Sequence, residues 1–584
     1  MRYKVLNDII PFYTPVEQIF FNRGIPATEI KHYKNVSEKD TYSPSLLENI
    51  KEGVGLLTKH IKNNNKVGVL VDCDADGFTS SALLINYLNF LFPTWVNSSL
   101  CYYIHEGKQH GLSDSLEAII ASKVKLVIVP DAGAGDGEYA KKLQENGIET
   151  LIIDHHHIEN ISQCEPAIVI NNQLGNYPNT TLSGVGVVYK FCQYIDECLL
   201  INTAISLLDL VAVGCVADLM PLNNYETLYY IRTGLQNINN PFIRAMVNEQ
   251  EYSINKHGGL DPYAIGFYIA PFINATIRVG TMEEKSMLFK SLLDSEFNTL
   301  VPSGKRGHKG EMVPLAEEVC RICTNVKSRQ TKMRDENLIK IDQLIQERNL
   351  LDNKIVAVQL NKDLNIDKNI LGLIANILMD KYQRPILLLN ETEEEIDGEK
   401  VPVWAGSARN YKYCEIEDLR QFMEDLPQTL YAQGHSSAFG VAIQKDRFNE
   451  FIQTTNDLLK NIDFSPVYRV DYIFNNECSK QDILNIDSLK CYYGQGFEEP
   501  YIAVEGIHIN SNNMTLMSKD KNPTIKIVLP DGIEIMKFKS SQEEYDLLLN
   551  TVIDIVGKCS TNEWLGKITP QILVEDYNIK YNDF

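Results

Sequence analysis

The stretch that most constrains this chain is Lys66–Gly77, KVGVLVDCDADG. Val67, Val69, Leu70 and Val71 form the near-continuous apolar run that a strand buried on both faces requires. The run delivers Asp72, Asp74 and Asp76, and Gly77 then turns the chain. At i, i+2 and i+4 of an extended segment the three side chains point to one side. Like charges held that close suppress one another's ionisation unless a cation sits between them. The expectation is a site for a hard divalent ion at the carboxyl end of a parallel strand, where open α/β sheets place their ligands. An EF-hand calcium loop begins with the same letters, but it needs a helix in front and a Glu at its twelfth position. Here a strand pattern precedes it and Leu83 stands twelfth.

The pattern recurs. Leu46, Leu47, Ile50, Val54, Leu57 and Ile61 mark a helical face leading into the first strand, and a helix over Ser80–Phe92, closed by Pro93, follows it. A second apolar run, Val124–Pro130, ends in Asp131-Ala-Gly-Ala-Gly. After a helical pattern over Glu138–Glu145 and Gly147, a third run, Thr150–Ile153, delivers Asp154, His155, His156 and His157. Strand-like runs that end in metal-capable side chains, with helices between, spell a parallel sheet with one active edge. Leu207–Leu222 reads as a buried helix whose apolar run Asp218 interrupts, at a cost unless that carboxylate is paired or metal-bound. Histidines at the same sheet end as the acids are explained by ligation.

Net charge decides what else is admissible. At −22 over 584 residues the chain has no general affinity for nucleic acid, so any polynucleotide must be held in a local basic groove. Lys305, Arg306, Lys309, Lys327, Arg329, Lys332 and Arg334 are the candidates, with a solvated face as the alternative. No apolar span approaches bilayer thickness, and the start, MRYKVLNDII, is too polar for a signal peptide, which predicts no membrane association and a cytoplasmic protein. The 12 cysteines are read as singly scattered, reduced, mostly buried thiols. The length suits about three or four domains.

Asp72–Gly77, Asp131–Gly133, Asp154–His156 and Asp218, in that order, resemble the four motifs of the DHH phosphoesterase family. Further segments are similar to its RecJ-type exonucleases. Ala270–Gly280 (APFINATIRVG) retains Asn274 and Arg278, although Phe272 and Ile277 replace the Arg and Gly of the pattern. A long helical stretch, about Val313–Leu350, carries Leu315, Val319, Ile322 and Val326 on one seam. Asn353–Asn390 reads as β-α-β and resembles the start of a DHHA1-type domain. GSARN (Gly406–Asn410) and GHSSAFG (Gly434–Gly440) resemble that domain's substrate loops, with Gln433 in place of a Gly. From about Pro466, short alternating runs predict a small barrel, and Tyr492–Pro500 and Asn562–Tyr577 resemble the OB domain that closes RecJ exonucleases.

The resemblance implies an α/β fold: a parallel-sheet DHH domain joined by a long helix to a smaller α/β DHHA1 domain, followed by a β-barrel OB-fold domain. The expected division is 1–45 arm, 46–230 DHH domain, 231–352 helical region and long helix, 353–465 DHHA1 domain, 466–584 OB domain. The implied activity is a metal-dependent 5′–3′ exonuclease that degrades single-stranded DNA to mononucleotides in repair and recombination. A DHH phosphodiesterase acting on short oligonucleotides or cyclic dinucleotides, and a non-catalytic replication scaffold, are the alternatives. Two ions are expected, Mn2+ favoured over Mg2+ by the imidazole ligand. Asp131 would bridge them, Asp74, Asp218 and His155 would complete one shell and Asp76 part of the other, with Asp72 and Asp154 orienting ligands from behind. His156, Asn274, Arg278, Ser407, Arg409, Gly434 and His435 would bind the substrate. Expected partners are single-stranded DNA and a single-strand-binding protein or helicase, the chain itself acting as a monomer.

Overall fold

The computed structural model describes residues 1–107, 110–158, 160–361, 364, 366–396, 399–475, 478–518 and 522–582. The chain divides into two compact units: Arg23–Lys327 with Ser488–Glu499, and Met1–Asn22 with Ser328–Asp487 and Pro500–Phe584. Among the described residues no helix is long and apolar enough to cross a membrane.

The first unit is built on a five-stranded, all-parallel sheet in the order Leu100–Ile104, Val67–Val71, Leu126–Pro130, Glu149–Asp154, Ile168–Asn171. Its three central strands are the apolar runs of the sequence. Both outer strands were missed: Leu100–Ile104 mixes Cys and Tyr into its run and is half-buried throughout, and Ile168–Asn171 is only four residues long. Leu70, Val127, Val129, Ile152 and Val169 are fully buried against the helices of one face.

Beyond Val71 the strand stops, and this corrects the placement of the three acids. The helix runs over Ala75–Leu91, starting five residues before the expected Ser80, and Asp74 is its N-cap, accepting a hydrogen bond from the Gly77 amide at 3.1 Å. Asp76 already lies in the first turn. Asp72, Asp74 and Asp76 therefore do not share one face of an extended segment; a strand end, a cap and a helical turn fan them out. Gly77 permits that close turn, since a Cβ there would lie 2.6 Å from Asp72 Cβ and 2.8 Å from its carbonyl carbon. Pro93, expected to stop this helix, opens the next one, Pro93–Ser99.

The helices Ala75–Leu91, Gly184–Leu199 and Leu208–Ala217 pack on one another beside the sheet, and Asp218 is the C-cap residue of the last. Its neighbour Tyr225–Gln236 seats against it through Gly234, whose missing Cβ would fall on the Leu208 carbonyl oxygen. The segment Ser488–Glu499 also belongs to this unit. Although it resembles part of an OB domain, Phe497 stacks on Tyr33 at 5.7 Å, the Arg232 guanidinium covers Tyr492 at 4.7 Å, and the Leu222 amide donates to Gln495 O at 2.8 Å.

A helix of 33 residues, Leu315–Glu347, begins in the first unit and ends in the second. Its buried seam is Leu315, Val319, Cys323 and Val326, Cys323 taking the place expected for Ile322. Cys320 and Cys323 form a Cys-x-x-Cys pair, so the thiols are not all singly scattered; both are free, and burial pushes each up to about 12, which makes them poor nucleophiles.

In the second unit a five-stranded sheet runs Thr429–His435, Ala438–Gln444, Glu399–Arg409, Ile386–Ile396, Val356–Leu360. The β-rich remainder forms a seven-stranded mixed sheet in the order Tyr472–Asn475, Ile502–His508, Thr551–Trp564, Lys567–Asn582, Glu534–Lys537, Thr524–Val528, Met514–Met517. Part of the N-terminal arm is ordered here as well: Arg2–Val5 pairs in parallel with Val467–Val470.

Since Gly234 lets one helix close on the helix that carries Asp218, Gly234→Ala is expected to destabilise the first unit by about 1–3 kcal/mol, the usual range for overpacking. A thermal melt several degrees below the parent is the expected result. An unchanged melt would show that the helix pair has slack there.

Candidate metal centre

Three consecutive sheet strands and one helix end converge on a single cluster. The Glu149–Asp154 strand presents Asp154, followed by His155 and His156; the Leu126–Pro130 strand presents Asp131; the Val67–Val71 strand and its helix present Asp72, Asp74 and Asp76. Asp131 has φ 64°, a left-handed conformation that Asp tolerates better than most side chains, and its amide donates to Ile153 O at 2.8 Å. Four sets of donor atoms lie within 4.8 Å of one another: Asp131, Asp154, His155 and His156; Asp72, Asp74 and Asp131; Asp76, His155 and Asp218; and Asp72, Cys73 and His110. All eight expected catalytic acids and histidines are thus brought together. Their grouping differs from the expectation, since Asp76 rather than Asp74 accompanies His155 and Asp218, and Asp72 stands with Asp74 and Asp131 instead of behind them.

Unsatisfied oxygens test whether a cation fits. Asp72 Oδ1, Asp131 Oδ1 and Asp218 Oδ2 are buried and accept no hydrogen bond from any described residue. His155 Nε2 lies 3.3 Å from Asp131 Oδ1 and 3.4 Å from Asp218 Oδ2 without hydrogen-bonding either. Burial, and then the charge of His156, push the His155 imidazole down to about 4, so it faces these oxygens as a neutral ring. Buried acceptors facing one another without donors are costly, and a divalent cation is the group that satisfies them all. Carboxylate oxygens with one imidazole nitrogen suit Mn2+ or Mg2+.

Around this set, other groups hold the ligands. Asp154 accepts from the amides of Ala134, His155 and His156 at 2.9, 2.7 and 3.2 Å and from His156 Nδ1 at 2.8 Å. Burial would raise Asp154, but the hydrogen bond and charge of His156 outweigh it and hold the carboxyl far below its usual range. Burial likewise opposes charge on His156, yet Asp154 lifts it to about 9, which keeps this half-exposed ring cationic at neutral pH. Sequence reading missed two supports. The amides of Gly184 and Val185, at the start of a helix, donate to Asp76 at 2.8 and 3.1 Å, and His110 Nδ1 lies 2.7 Å from Asp72 Oδ2. The run Ser183-Gly-Val-Gly carries the signature of a helix start able to cradle an anion, and could have revealed the first.

Of the expected substrate groups, Asn274 and Arg278 lie one turn apart on the Ala270–Val279 helix. Asn274 Oδ1 accepts from the Ala75 amide at 3.0 Å, and Arg278 Nε is buried with no hydrogen bond to a described residue. Ser407, Arg409, Gly434 and His435 belong to the other unit and lie on strands, not on the loops expected. Arg409 and His435 pair with Ala438 from opposite sides, and Ser407 pairs with Gly440, so Ser407, Arg409 and His435 share one sheet face, on which the strand between them presents Ala438 and Gly440. Gly434 has φ 132°, open only to glycine. Among the basic candidates, Arg334 is paired with Asp335 at 2.7 Å and Lys332 with Glu336 at 3.8 Å, while Lys305, Arg306 and Lys309 are exposed on the loop of a short hairpin.

Protons stand in for a metal when none is bound. Burial, and then Asp74, push Asp76 up to about 7, and burial followed by Asp76 pushes Asp218 up to about 8; Asp131 is raised as well, by burial and then Asp76. Carboxyls raised in the folded state contribute stability that is fully present below their unfolded value of about 4 and is lost as pH rises through the folded values. The gain in Tm on adding Mn2+ is therefore expected to be several-fold larger at about pH 8 than at about pH 5. An equal gain at both would contradict this charge balance.

The family model described as DHH family, N-terminal domain, matches residues 66–215, and that of the RecJ OB domain matches residues 474–576. A Bacillus subtilis protein named "Putative SPbeta prophage-derived single-strand DNA-specific exonuclease YorK" is 36% identical over 99% of this chain and 98% of its own length. The single-stranded-DNA-specific exonuclease RecJ of Bacillus subtilis is 24% identical over 98% of this chain and 69% of its own. Among solved structures, RecJ in complex with Mn2+ from Thermus thermophilus superposes with a TM-score of 0.70 at 19% identity, over 99% of this chain and 79% of that one, which shows a shared fold. Motifs, cluster and full-length similarity agree, and the chain belongs to the RecJ-type single-strand-DNA-specific exonucleases of the DHH family.

Proposed function

We propose that this chain is a metal-dependent exonuclease that removes mononucleotides from single-stranded DNA, 5′ to 3′, by two-metal phosphodiester hydrolysis, in DNA repair or recombination. The observation that carries the reading is the set of donorless buried oxygens on Asp72, Asp131 and Asp218 that converge with the neutral His155 ring. The relatives' names supply the substrate class. Asp131 shares one donor set with His155 and another with Asp72 and Asp74, and its Oδ1 lies 3.3 Å from His155 Nε2, which makes it the residue suited to be shared between a pair of ions.

Two divalent ions held here would relieve charge on the scissile phosphate and supply a nucleophile at neutral pH. The chain's own residues do the rest. Asp76 is fixed by a helix N-terminus and Asp74 by its capping bond, so these carboxylates need not reorganise as charge develops. His155, kept neutral, has one ring nitrogen with a lone pair to offer an ion. His156, kept cationic by Asp154, turns a half-exposed positive ring to the solvent side, where a phosphate would meet it. Asn274 uses its oxygen on the Ala75 amide, which leaves its NH2 group for a phosphate oxygen, and Arg278 adds charge one turn away. Ser407, Arg409, Gly434 and His435 are proposed to grip further phosphates from the second α/β sheet, read here as the DHHA1 domain, with the terminal β domain feeding the strand. A helicase or single-strand-binding protein would present such strands.

The test is digestion of single strands labelled at either end, with Mn2+ and with EDTA. Label should leave as a mononucleotide at once from the 5′ end and late from the 3′ end. EDTA should stop release, and Asp131→Ala should slow it by at least about 10²-fold. Prompt release from the 3′ end would overturn the polarity. Faster consumption of a dinucleotide than of the long strand would move the chain to the short-oligonucleotide phosphodiesterases.

A further inference from the structure

Three aromatic rings of the first unit form one stack that the hydrolysis above does not use. Tyr263 and Phe267 stand four residues apart on the helix Pro262–Tyr268, which sets them on one face, and their rings stack with centroids 4.1 Å apart and planes 21° apart. The His257 ring stacks on Tyr263 as well, at 4.1 Å and 16°. Two rings cannot crowd onto one face of a third at that distance, so Tyr263 is sandwiched and Phe267 ends the stack.

The inner end of the stack is anchored. Gly258 and Gly259, at φ 132° and 130°, reverse the chain between His257 and the helix in a conformation open to glycine. Asp261 then uses one buried carboxylate twice: Oδ1 caps the helix by accepting from the Ala264 amide at 2.8 Å, and Oδ2 lies 3.1 Å from His257 Nε2. The outer end is open, since Phe267 is 61% exposed although Tyr263 covers one of its faces. A ring so far in water contributes little by burial, yet two rings and a carboxylate behind it hold its plane.

The position of the stack connects it to the metal centre. Gly266, the residue before Phe267, faces the helix that ends at Asp218: a Cβ there would lie 3.6 Å from Val216 Cγ1, two residues short of that aspartate. Three residues after Phe267 the helix Ala270–Val279 begins, which carries Asn274 and Arg278. An open aromatic face beside groups suited to phosphate is the combination that holds a single strand.

We infer that Phe267, backed by Tyr263 and His257, is a stacking platform for one nucleobase of a single strand whose phosphates reach the helix of Asn274 and Arg278. The inference rests on the nuclease reading for its substrate class. Every base has a π-face, so the platform holds a strand without reading its sequence. A base inside a duplex is covered by its neighbours and must be unstacked at a cost, so the platform favours unpaired strands.

The experiment measures binding of oligothymidylates to the full chain in EDTA, each strand carrying one abasic residue at a different position. In the parent, one position should weaken binding about fivefold or more, the usual loss for a base–aromatic contact. Phe267→Leu keeps an apolar side chain and removes the ring. Intact strands should bind that variant about fivefold or more weaker, and the same abasic position should then cost nothing further. The salt dependence of binding should keep its slope, since no phosphate contact is lost. Phe267→Trp should restore both the affinity and the positional loss, and both variants should melt with the parent, because the ring lies mostly in water. Parent-like affinity in Phe267→Leu, or an abasic position that costs as much there as in the parent, would overturn the platform, and so would a parent indifferent to every abasic position. Because binding in EDTA needs no turnover, a failed digestion assay leaves the platform standing, and a failed abasic scan leaves the nuclease reading standing.

Discussion

Packing Asp72, Asp76, Asp131 and Asp154 into one buried edge, with Asp218 alongside, is the constraint that the first unit is organised to bear. Two like charges about 4 Å apart repel by about 4 kcal/mol at the effective dielectric of a protein near its surface, and several such pairs coexist here. The fold meets that cost in two ways. Asp154 and Asp76 are stabilised locally, by amides and an imidazolium in one case and by a helix start in the other. Asp131 and Asp218 keep oxygens with no donor among the described residues. Unrelieved acids beside relieved ones distinguish a place prepared for a cation from a merely satisfied polar core.

The division of labour follows from where each residue sits. Strand ends fix Asp131 and Asp154, because the paired strands beneath them, Leu126–Pro130 and Glu149–Asp154, are buried except at Glu149. Helix termini supply direction: Asp74 caps one, Asp76 lies against the start of another, and Asp218 ends a third. Glycines make the approach possible. Gly77 lets a helix turn close over Asp72, and at Gly184 a Cβ would collide with the Asp131 carboxylate.

Much of this was legible in the letters. The central strands, the acids that close them and Asp218 announce themselves, because a buried parallel strand is a compact apolar run and a carboxylate at its end is conspicuous. What escaped lay where tertiary context overrides local pattern. Leu100–Ile104 and Ile168–Asn171 are outer strands too mixed or too short to stand out. Asp74 reads as a strand position by alternation and acts as a helix cap, since the choice depends on where the following helix packs. Ser407 and Arg409 sit in an 11-residue strand, although glycine beside them suggests a loop. The long hairpin of Thr551–Trp564 and Lys567–Asn582 showed only as a fragment, because polar outward positions dilute its apolar ones. His110 and Cys73 meet only because two strand exits run together, a relation no linear spacing encodes.

The proposal most in need of a test is that the cluster would hold two ions, with Asp131 shared between them. Anomalous diffraction from crystals grown with Mn2+ tests it most directly. The account predicts two peaks about 4 Å apart, one against Asp76, His155 and Asp218, the other against Asp72 and Asp74, with Asp131 touching both. A lone peak that leaves Asp131 unligated, or peaks away from these residues, would contradict it.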